Sequence, residues 1–133
     1  MIRAVADTHA VIWYIFADRR LSETARQAIE QAATDGDQIA FSSITLVEII
    51  YLSERGRIAV DTLERLIAAV DPGDAVLTEI PFDRKIAQAF AQVERSQVPD
   101  LPDRMIAATA LYLNVPLISR DFKIQLSDIE TIW

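Results

Sequence analysis

The chain has 133 residues, a common size for one domain, and contains no cysteine, which excludes disulfides, thiolate metal ligands and a cysteine nucleophile. Its formal charge is −7, from 13 Lys and Arg against 20 Asp and Glu. This balance argues against binding nucleic acid by simple neutralisation of phosphates, unless metal ions or a basic partner intervene.

Apolar residues are abundant but are not arranged as a membrane span. They make up 51% of the chain, yet no apolar run approaches the roughly 18 residues that a transmembrane helix requires. The opening residues lack the basic region, apolar stretch and cleavage site of a signal peptide. We therefore expect a cytoplasmic protein with no membrane partner.

The first elements are a short strand and two helices. Residues 2–6 are typical of a buried strand, and the apolar residues 10–17 indicate a short buried helix. Asp7 lies at the junction between them. Ser22 is a suitable N-cap for a following helix that ends at the Asp-Gly-Asp sequence 35–37.

The second predicted strand is followed by a helix in which one acidic residue has apolar neighbours. Residues 38–42 predict a strand, and Ser43 is a suitable cap for a helix that Gly56 ends. Glu48 falls about one turn into this helix. Buried acids are usually paired or metal-bound, and a Glu48 at the core edge that pairs with an arginine is the alternative explanation.

The middle of the chain repeats the alternation of helix and strand. Asp61 begins a sequence that resembles a capping box, and residues 76–80 predict a third strand. Asp83 is a suitable cap for the helix after that strand.

The last elements end in a further acid. Pro102 and Asp103 suit the first turn of a helix that Asn114 ends in a left-handed conformation. Residues 116–119 predict a fourth strand, with Asp121 directly after it, and residues 129–133 favour a fifth. The alternation predicts a single domain over residues 1–133, a three-layer α/β/α sandwich with a mainly parallel sheet of four to five strands.

Four carboxylates lie where these elements begin or end: Asp7, Glu48, Asp103 and Asp121. In a parallel sheet, residues that follow neighbouring strands meet at the carboxyl edge. Each acid alone has an ordinary explanation, such as a helix cap. Together they would repel, because two unit charges 4 Å apart cost about 4 kcal/mol at an effective dielectric near 20. A cluster would therefore require a cation, for which Mg²⁺ or Mn²⁺ is the natural candidate.

Four sequence motifs resemble those of the PIN-domain family, in order and spacing: DTHAVIW at 7–13, SSITLVEI at 42–49, DRMIAATA at 103–110 and ISRD at 118–121. The resemblance is closest to VapC-type toxins of bacterial toxin–antitoxin pairs and covers most of the chain. It implies an endoribonuclease that hydrolyses RNA with a metal-activated water and one or two Mg²⁺ or Mn²⁺ ions. It places Asp7, Glu48, Asp103 and Asp121 in the metal-binding and catalytic positions.

The resemblance also implies accessory groups and partners. Thr8 and Ser119 lie beside acids and are candidates to orient water or phosphate, and Asp100 matches an acid frequent in the subfamily, with loop capping an equal alternative. His9, the only histidine, is a candidate general base, but it belongs to the first motif, where packing or capping is its more common role. Arg120 is a candidate phosphate contact or a surface ion pair. A cognate antitoxin with a basic segment and a homodimer are expected from the family.

The sequence leaves two other interpretations of the four acids open. A receiver-type phosphoacceptor domain has similar size and an acidic Mg²⁺ site, but it needs paired acids after the first strand and a lysine after a late strand. Asp7 instead follows an apolar strand, and the only lysines are Lys85 and Lys123. A catalytically inactive PIN-like interaction domain would keep the acids and bind only a protein partner.

Overall fold

A parallel sheet of five strands forms the centre of the molecule. The computed structural model describes all residues, 1–133. The strands are β1 (Ile2–Ala6), β2 (Gln38–Ser42), β3 (Leu77–Ile80), β4 (Leu117–Ile118) and β5 (Thr131–Ile132). Their order across the sheet is β3-β2-β1-β4-β5, and every neighbouring pair is parallel. The predicted mainly parallel sheet is confirmed.

Seven helices surround the sheet, and none of them is long and apolar enough to cross a bilayer. They are α1 (Thr8–Ile15), α2 (Glu23–Thr34), α3 (Ile44–Glu54), α4 (Thr62–Val70), α5 (Arg84–Phe90), α6 (Leu101–Leu113) and α7 (Phe122–Gln125).

Side-chain alternation along the strands separates two hydrophobic cores. On β1, Ala4 and Ala6 face a core shared with α1 and α2, whereas Val5 faces a core shared with α5 and α6. Phe41 on β2 is 1% exposed in the first core, where burying such a side chain contributes about 1.5–3 kcal/mol. Because both sheet faces are covered, the predicted three-layer α/β/α arrangement is confirmed.

The strand order reverses between β1 and β4, which places a crevice at their carboxyl ends. The chain leaves β1 toward β2 on one side, whereas β4 lies on the other side, paired through Val5 with Leu117 and Ala6 with Ile118. The backbone N–H of Asp7 donates to the carbonyl of Ile118 at 3.0 Å. Residues directly after these two strands therefore lie side by side, where open α/β sheets bind ligands.

Two predicted side-chain caps are wrong. Ser43 stands at the N-cap position of α3, but its backbone is already helical and its hydroxyl makes no capping bond. Its Oγ instead accepts from the N–H of Phe82 at 3.0 Å, which links β2 to the chain leaving β3. Asp61 makes no capping bond to α4 and pairs with Arg65 at 2.9 Å, since a guanidinium one turn away competes for its carboxylate.

Other boundaries differ by a residue or two, and one helix was not predicted. Helix α6 begins at Leu101 because Asp100 caps it: the N–H of Asp103 donates to Asp100 Oδ1 at 3.1 Å. Helix α7 has only four residues, too few to show a helical period in the sequence. The predicted caps Ser22 and Asp83 and the left-handed Asn114, with φ of 57°, are confirmed.

Candidate active site

A cavity of about 340 Å³ opens at the carboxyl edge of the sheet. Five carboxylates line it: Asp7, Glu48, Asp100, Asp103 and Asp121. His9, Trp13 and Arg120 complete the wall. The structure thus brings the four acids singled out in the sequence to one place, together with Asp100, from β1, α3, α6 and the end of β4. We call this space the carboxylate cavity.

Asp7 is held firmly at the base of the carboxylate cavity. It is 8% exposed, follows β1, and caps α1 by accepting from the N–H of Ala10 at 2.9 Å. Burial raises the pKa of the Asp7 carboxyl, while hydrogen bonds from Ser119 and the N–H of Ala10 partly offset that rise. One carboxylate oxygen thus serves α1, and the cap fixes the direction in which the group faces the cavity.

Glu48 is oriented by a short chain of hydroxyl groups. Thr8 Oγ1 donates to Glu48 Oε1 at 2.5 Å, and the hydroxyls of Thr8 and Thr45 lie 3.0 Å apart. Because the single Thr8 hydroxyl proton is directed at Glu48, Thr45 must donate to Thr8. Burial raises the pKa of Glu48, and the charge of Asp100 adds to the rise, while the Thr8 hydrogen bond opposes it.

Asp103 is affected by the charges of all four other acids. It lies in the first turn of α6, where only its backbone N–H takes part in the cap. Burial, followed by the charges of Asp100, Asp121, Glu48 and Asp7, raises the Asp103 pKa to about 7. The other four acids are therefore close enough to Asp103 to disfavour its ionisation, as expected when acids share one site.

Asp121 and Ser119 form the β4 side of the carboxylate cavity. Asp121 Oδ1 caps α7 by accepting from the N–H groups of Lys123 at 2.8 Å and Ile124 at 3.2 Å. Ser119 Oγ accepts from the Asp121 N–H at 3.0 Å, and the same hydroxyl lowers the pKa of the nearby Asp7 carboxyl. Ser119 is fully buried, so its hydroxyl has no access to a substrate and acts by fixing two acids.

A basic and aromatic rim borders the acids. The Arg120 guanidinium lies 4.6 Å from the centre of the Trp13 ring, and the His9 ring lies 5.5 Å from it. Arg120 is exposed and forms no ion pair, so the surface ion pair given as one alternative in the sequence is not observed. Arg104 donates to the Val93 carbonyl and stacks on Phe90, which directs it away from the carboxylate cavity.

The carboxylate cavity suits a hydrated divalent cation better than an ion enclosed by protein. Its donors are carboxylate oxygens, the ligands that Mg²⁺ and Mn²⁺ prefer. No three His, Asp or Glu side chains lie close enough to form a ready-made chelate. Mg²⁺ usually keeps several waters and takes only one or two carboxylates directly. The mutual repulsion around Asp103 supplies the electrostatic reason for a cation to bind there.

Two contributors were not identified in the sequence. Thr45 lies three residues before Glu48, and residues at that spacing share a helix face, so the pattern alone could have indicated a polar pair. Trp13 ends the first motif, but its contribution to the site was not predicted. It is 3% exposed, yet one side of its ring lines the cavity and carries Arg120, an arrangement that no periodicity encodes.

Known proteins resemble this chain in sequence and in fold. The ribonuclease VapC22 of Mycobacterium tuberculosis is 28% identical over 127 residues, covering 94% of this chain and 92% of that protein. The structure of VapBC2 from Rickettsia felis bound to a promoter DNA fragment matches with a TM-score of 0.71 and 20% identity, and covers 100% of both chains.

A toxin–antitoxin complex from Klebsiella pneumoniae matches with a TM-score of 0.67 and 25% identity, covering 98% of this chain and 96% of that one. The family model for the PIN domain matches residues 4–129, which include all five carboxylates of the cavity. The resemblance in the four sequence motifs is thereby confirmed, and the chain belongs to the PIN domain family.

Proposed function

We propose that this protein is a Mg²⁺- or Mn²⁺-dependent endoribonuclease and the toxin of a toxin–antitoxin pair. The observation that carries the proposal is the convergence of Asp7, Glu48, Asp100, Asp103 and Asp121 in one cavity of a PIN-family fold. The similarity to a protein named as a ribonuclease supports the choice of RNA as substrate. A cytoplasmic location belongs to the same proposal.

The carboxylates have different roles in binding one or two metal ions. We assign Asp7 and Asp103 as the main ligands, Glu48 as a further ligand or the group that orients a water, and Asp121 as the holder of a second ion or water. When bound, the cation activates water and stabilises the negative charge that develops during phosphodiester hydrolysis. Thr45 and Thr8 keep the Glu48 carboxylate aimed, and Ser119 does the same for Asp7.

Charge explains how an acidic chain binds a polyanion. Without a cation, the carboxylate cavity repels phosphate, and Asp103 is partly protonated near neutral pH because its pKa is about 7. A bound divalent ion reverses the local field and attracts the RNA backbone. Arg120, exposed at the rim and stacked on Trp13, adds a fixed positive charge in reach of a phosphate that enters the cavity.

An exposed apolar stripe on α3 supports the antitoxin part of the proposal. Val47, Ile50 and Tyr51 are 58%, 45% and 56% exposed and share one side of the helix that carries Glu48. Such a stripe suits an amphipathic partner segment. A basic extension of that segment would lie over the acids, and several structural neighbours are themselves described as toxin–antitoxin complexes. A homodimer remains a prediction from the family.

Cleavage of single-stranded RNA tests the enzymatic part. We expect the wild-type protein to cut RNA with Mg²⁺ or Mn²⁺, and to stop when EDTA is added. Asp7→Asn should abolish cleavage while still capping α1, because an asparagine oxygen can accept the Ala10 N–H. Asp74→Asn, at an exposed acid in the α4–β3 loop, is the matched control and should cut normally.

Two outcomes would contradict the proposal. Inactivity of the folded wild-type protein with both metals across varied RNAs would favour an interaction domain without catalysis. Equal activity of Asp7→Asn and the wild-type protein would move the chemistry away from the carboxylate cavity.

A further inference from the structure

A second cavity adjoins the carboxylate cavity. It has a volume of about 390 Å³ and shares three wall residues with the carboxylate cavity: Asp100, Asp103 and Asp121. Its outer wall is formed by Val98, Pro99, Phe122 and Lys123. We call it the flanking pocket. Its size falls within the roughly 300–1,000 Å³ of small-ligand sites.

Phe122 offers an aromatic face that the fold itself does not use. Its side chain is 69% exposed, although it is the first residue of α7. The neighbouring Ile124, at 1% exposure, is the side chain that anchors α7 in the core. An exposed phenyl ring beside Asp121 is therefore available for stacking, and nucleic-acid bases stack on such rings without regard to sequence.

Lys123 gives the flanking pocket a cation beside its acids. The side chain lines the pocket and is exposed, yet it forms no ion pair with Asp100, Asp103 or Asp121. In a chain with 20 acidic residues and only two lysines, an unpaired lysine at this place is suited to an anionic ligand. A stacking ring and a phosphate-binding cation side by side fit one nucleotide better than an apolar peptide.

We infer that the flanking pocket binds the nucleotide next to the cleaved phosphodiester of a single-stranded RNA. The base stacks on Phe122, and Lys123 contacts a phosphate of the same strand. Continuity with the carboxylate cavity through Asp103 and Asp121 places the scissile phosphate at the acids when the neighbouring base occupies the pocket. This inference rests on the proposed ribonuclease function and adds to it a position for the strand.

A double-mutant cycle tests the contact between the Phe122 ring and the RNA base. It removes the ring by mutation of the protein and the base by an abasic residue in the RNA, separately and together. The substrates are a short single-stranded RNA that the wild-type protein cleaves at one site, and the same RNA with an abasic residue on either side of that site. The proteins are wild type, Phe122→Ala, Phe122→Tyr and the control Leu126→Ala. Leu126 is 70% exposed at the end of α7 but lies outside the flanking pocket.

We expect Phe122→Ala to lower kcat/KM on the intact RNA by about tenfold, the scale of one base–aromatic stack. The abasic residue on one side should cost the wild-type protein a similar factor and cost Phe122→Ala little more, because the lost contact is the same. Phe122→Tyr should restore cleavage, and Leu126→Ala should cut like wild type. Lys123→Ala should weaken cleavage and its dependence on salt, with Lys123→Arg restoring both.

Each other outcome overturns the inference. Phe122→Ala could cut like wild type, or the factor by which it lowers kcat/KM could multiply with the factor caused by the abasic residue, whichever side that residue is on. In either case the ring does not contact the base, although the ribonuclease proposal stands. If Phe122→Ala cuts normally but escapes inhibition by an antitoxin, the pocket is a protein-binding surface. A wild-type protein that cuts no RNA overturns the ribonuclease proposal and the subsite together.

Discussion

Replacing Asp103 with asparagine should stabilise the metal-free protein above neutral pH. Burial, followed by the charges of the neighbouring acids, raises the pKa of this carboxyl from 3.8 to about 7, which corresponds to a free-energy penalty of about 4 kcal/mol on the ionised form. Asp103 is only partly buried, so solvent screening reduces the effect to about 2 kcal/mol. Its carboxyl takes no part in the α6 cap, and the substitution therefore removes no capping bond.

The direction of the pH dependence follows from proton linkage. Because the folded-state pKa exceeds the unfolded one, the folded protein keeps a proton between about pH 4 and pH 7 that the unfolded chain releases. The wild-type protein therefore loses stability as pH rises through this window, and the full penalty is present above pH 7. Below about pH 4 both states are protonated and the penalty vanishes.

Urea unfolding in EDTA measures this effect. Asp103→Asn should exceed the wild-type free energy of unfolding by about 2 kcal/mol at pH 8 and by little at pH 4. Asp74→Asn, at an exposed acid outside the carboxylate cavity, should change it by less than about 0.5 kcal/mol at either pH. A variant no more stable than wild type at pH 8, or equally stabilised at both pH values, would refute the raised pKa of Asp103.

Substitutions at three further positions separate structural from catalytic roles. Asp121→Asn should keep the α7 cap and the melting temperature but lose RNA cleavage, whereas Asp121→Ala should lose both, with about 1 kcal/mol of stability; equal cleavage by Asp121→Asn and wild type would refute the assigned role. Thr45→Val should cost about 1 kcal/mol in urea unfolding and slow cleavage, because it removes the donor to Thr8, whereas Thr45→Ser should restore both. Arg120→Ala should weaken RNA binding to the Asp7→Asn protein and reduce the salt slope by about one, with an unchanged slope as the contrary result.

The fold was predictable because its local and global preferences agree. Ser22, Asp83 and Asn114 mark helix ends at the places where their side-chain chemistry is used, and the strand at 2–6 has the observed bounds. The strand order follows from no local pattern, since it depends on which strands pair across the sheet. The pairing of β1 with β4 is the event that brings Asp7 beside Asp121.

The four acids of the site were easier to identify in the sequence than the residues around them. Motif order marked Asp7, Glu48, Asp103 and Asp121. The resemblance implied that Asp100 is either an accessory acid or a loop cap, but nothing in the sequence showed that it would both cap α6 and line the cavity. The same limit applies to Phe122, whose exposure depends on a four-residue helix anchored by one neighbour. The positions of Asp100 and Phe122 depend on tertiary structure, which local secondary-structure propensity does not determine.

The fate of the water oxygen tests the central claim most directly. If an activated water at the carboxylate cavity attacks the phosphodiester, RNA cleaved in ¹⁸O-labelled water should carry one label on the new terminal phosphate from the earliest time points. A 2′-deoxy substitution at the cleaved nucleotide should then still allow cleavage, and EDTA should stop it. An unlabelled 2′,3′-cyclic phosphate, formed with EDTA present and lost with the 2′-deoxy substrate, would contradict the account.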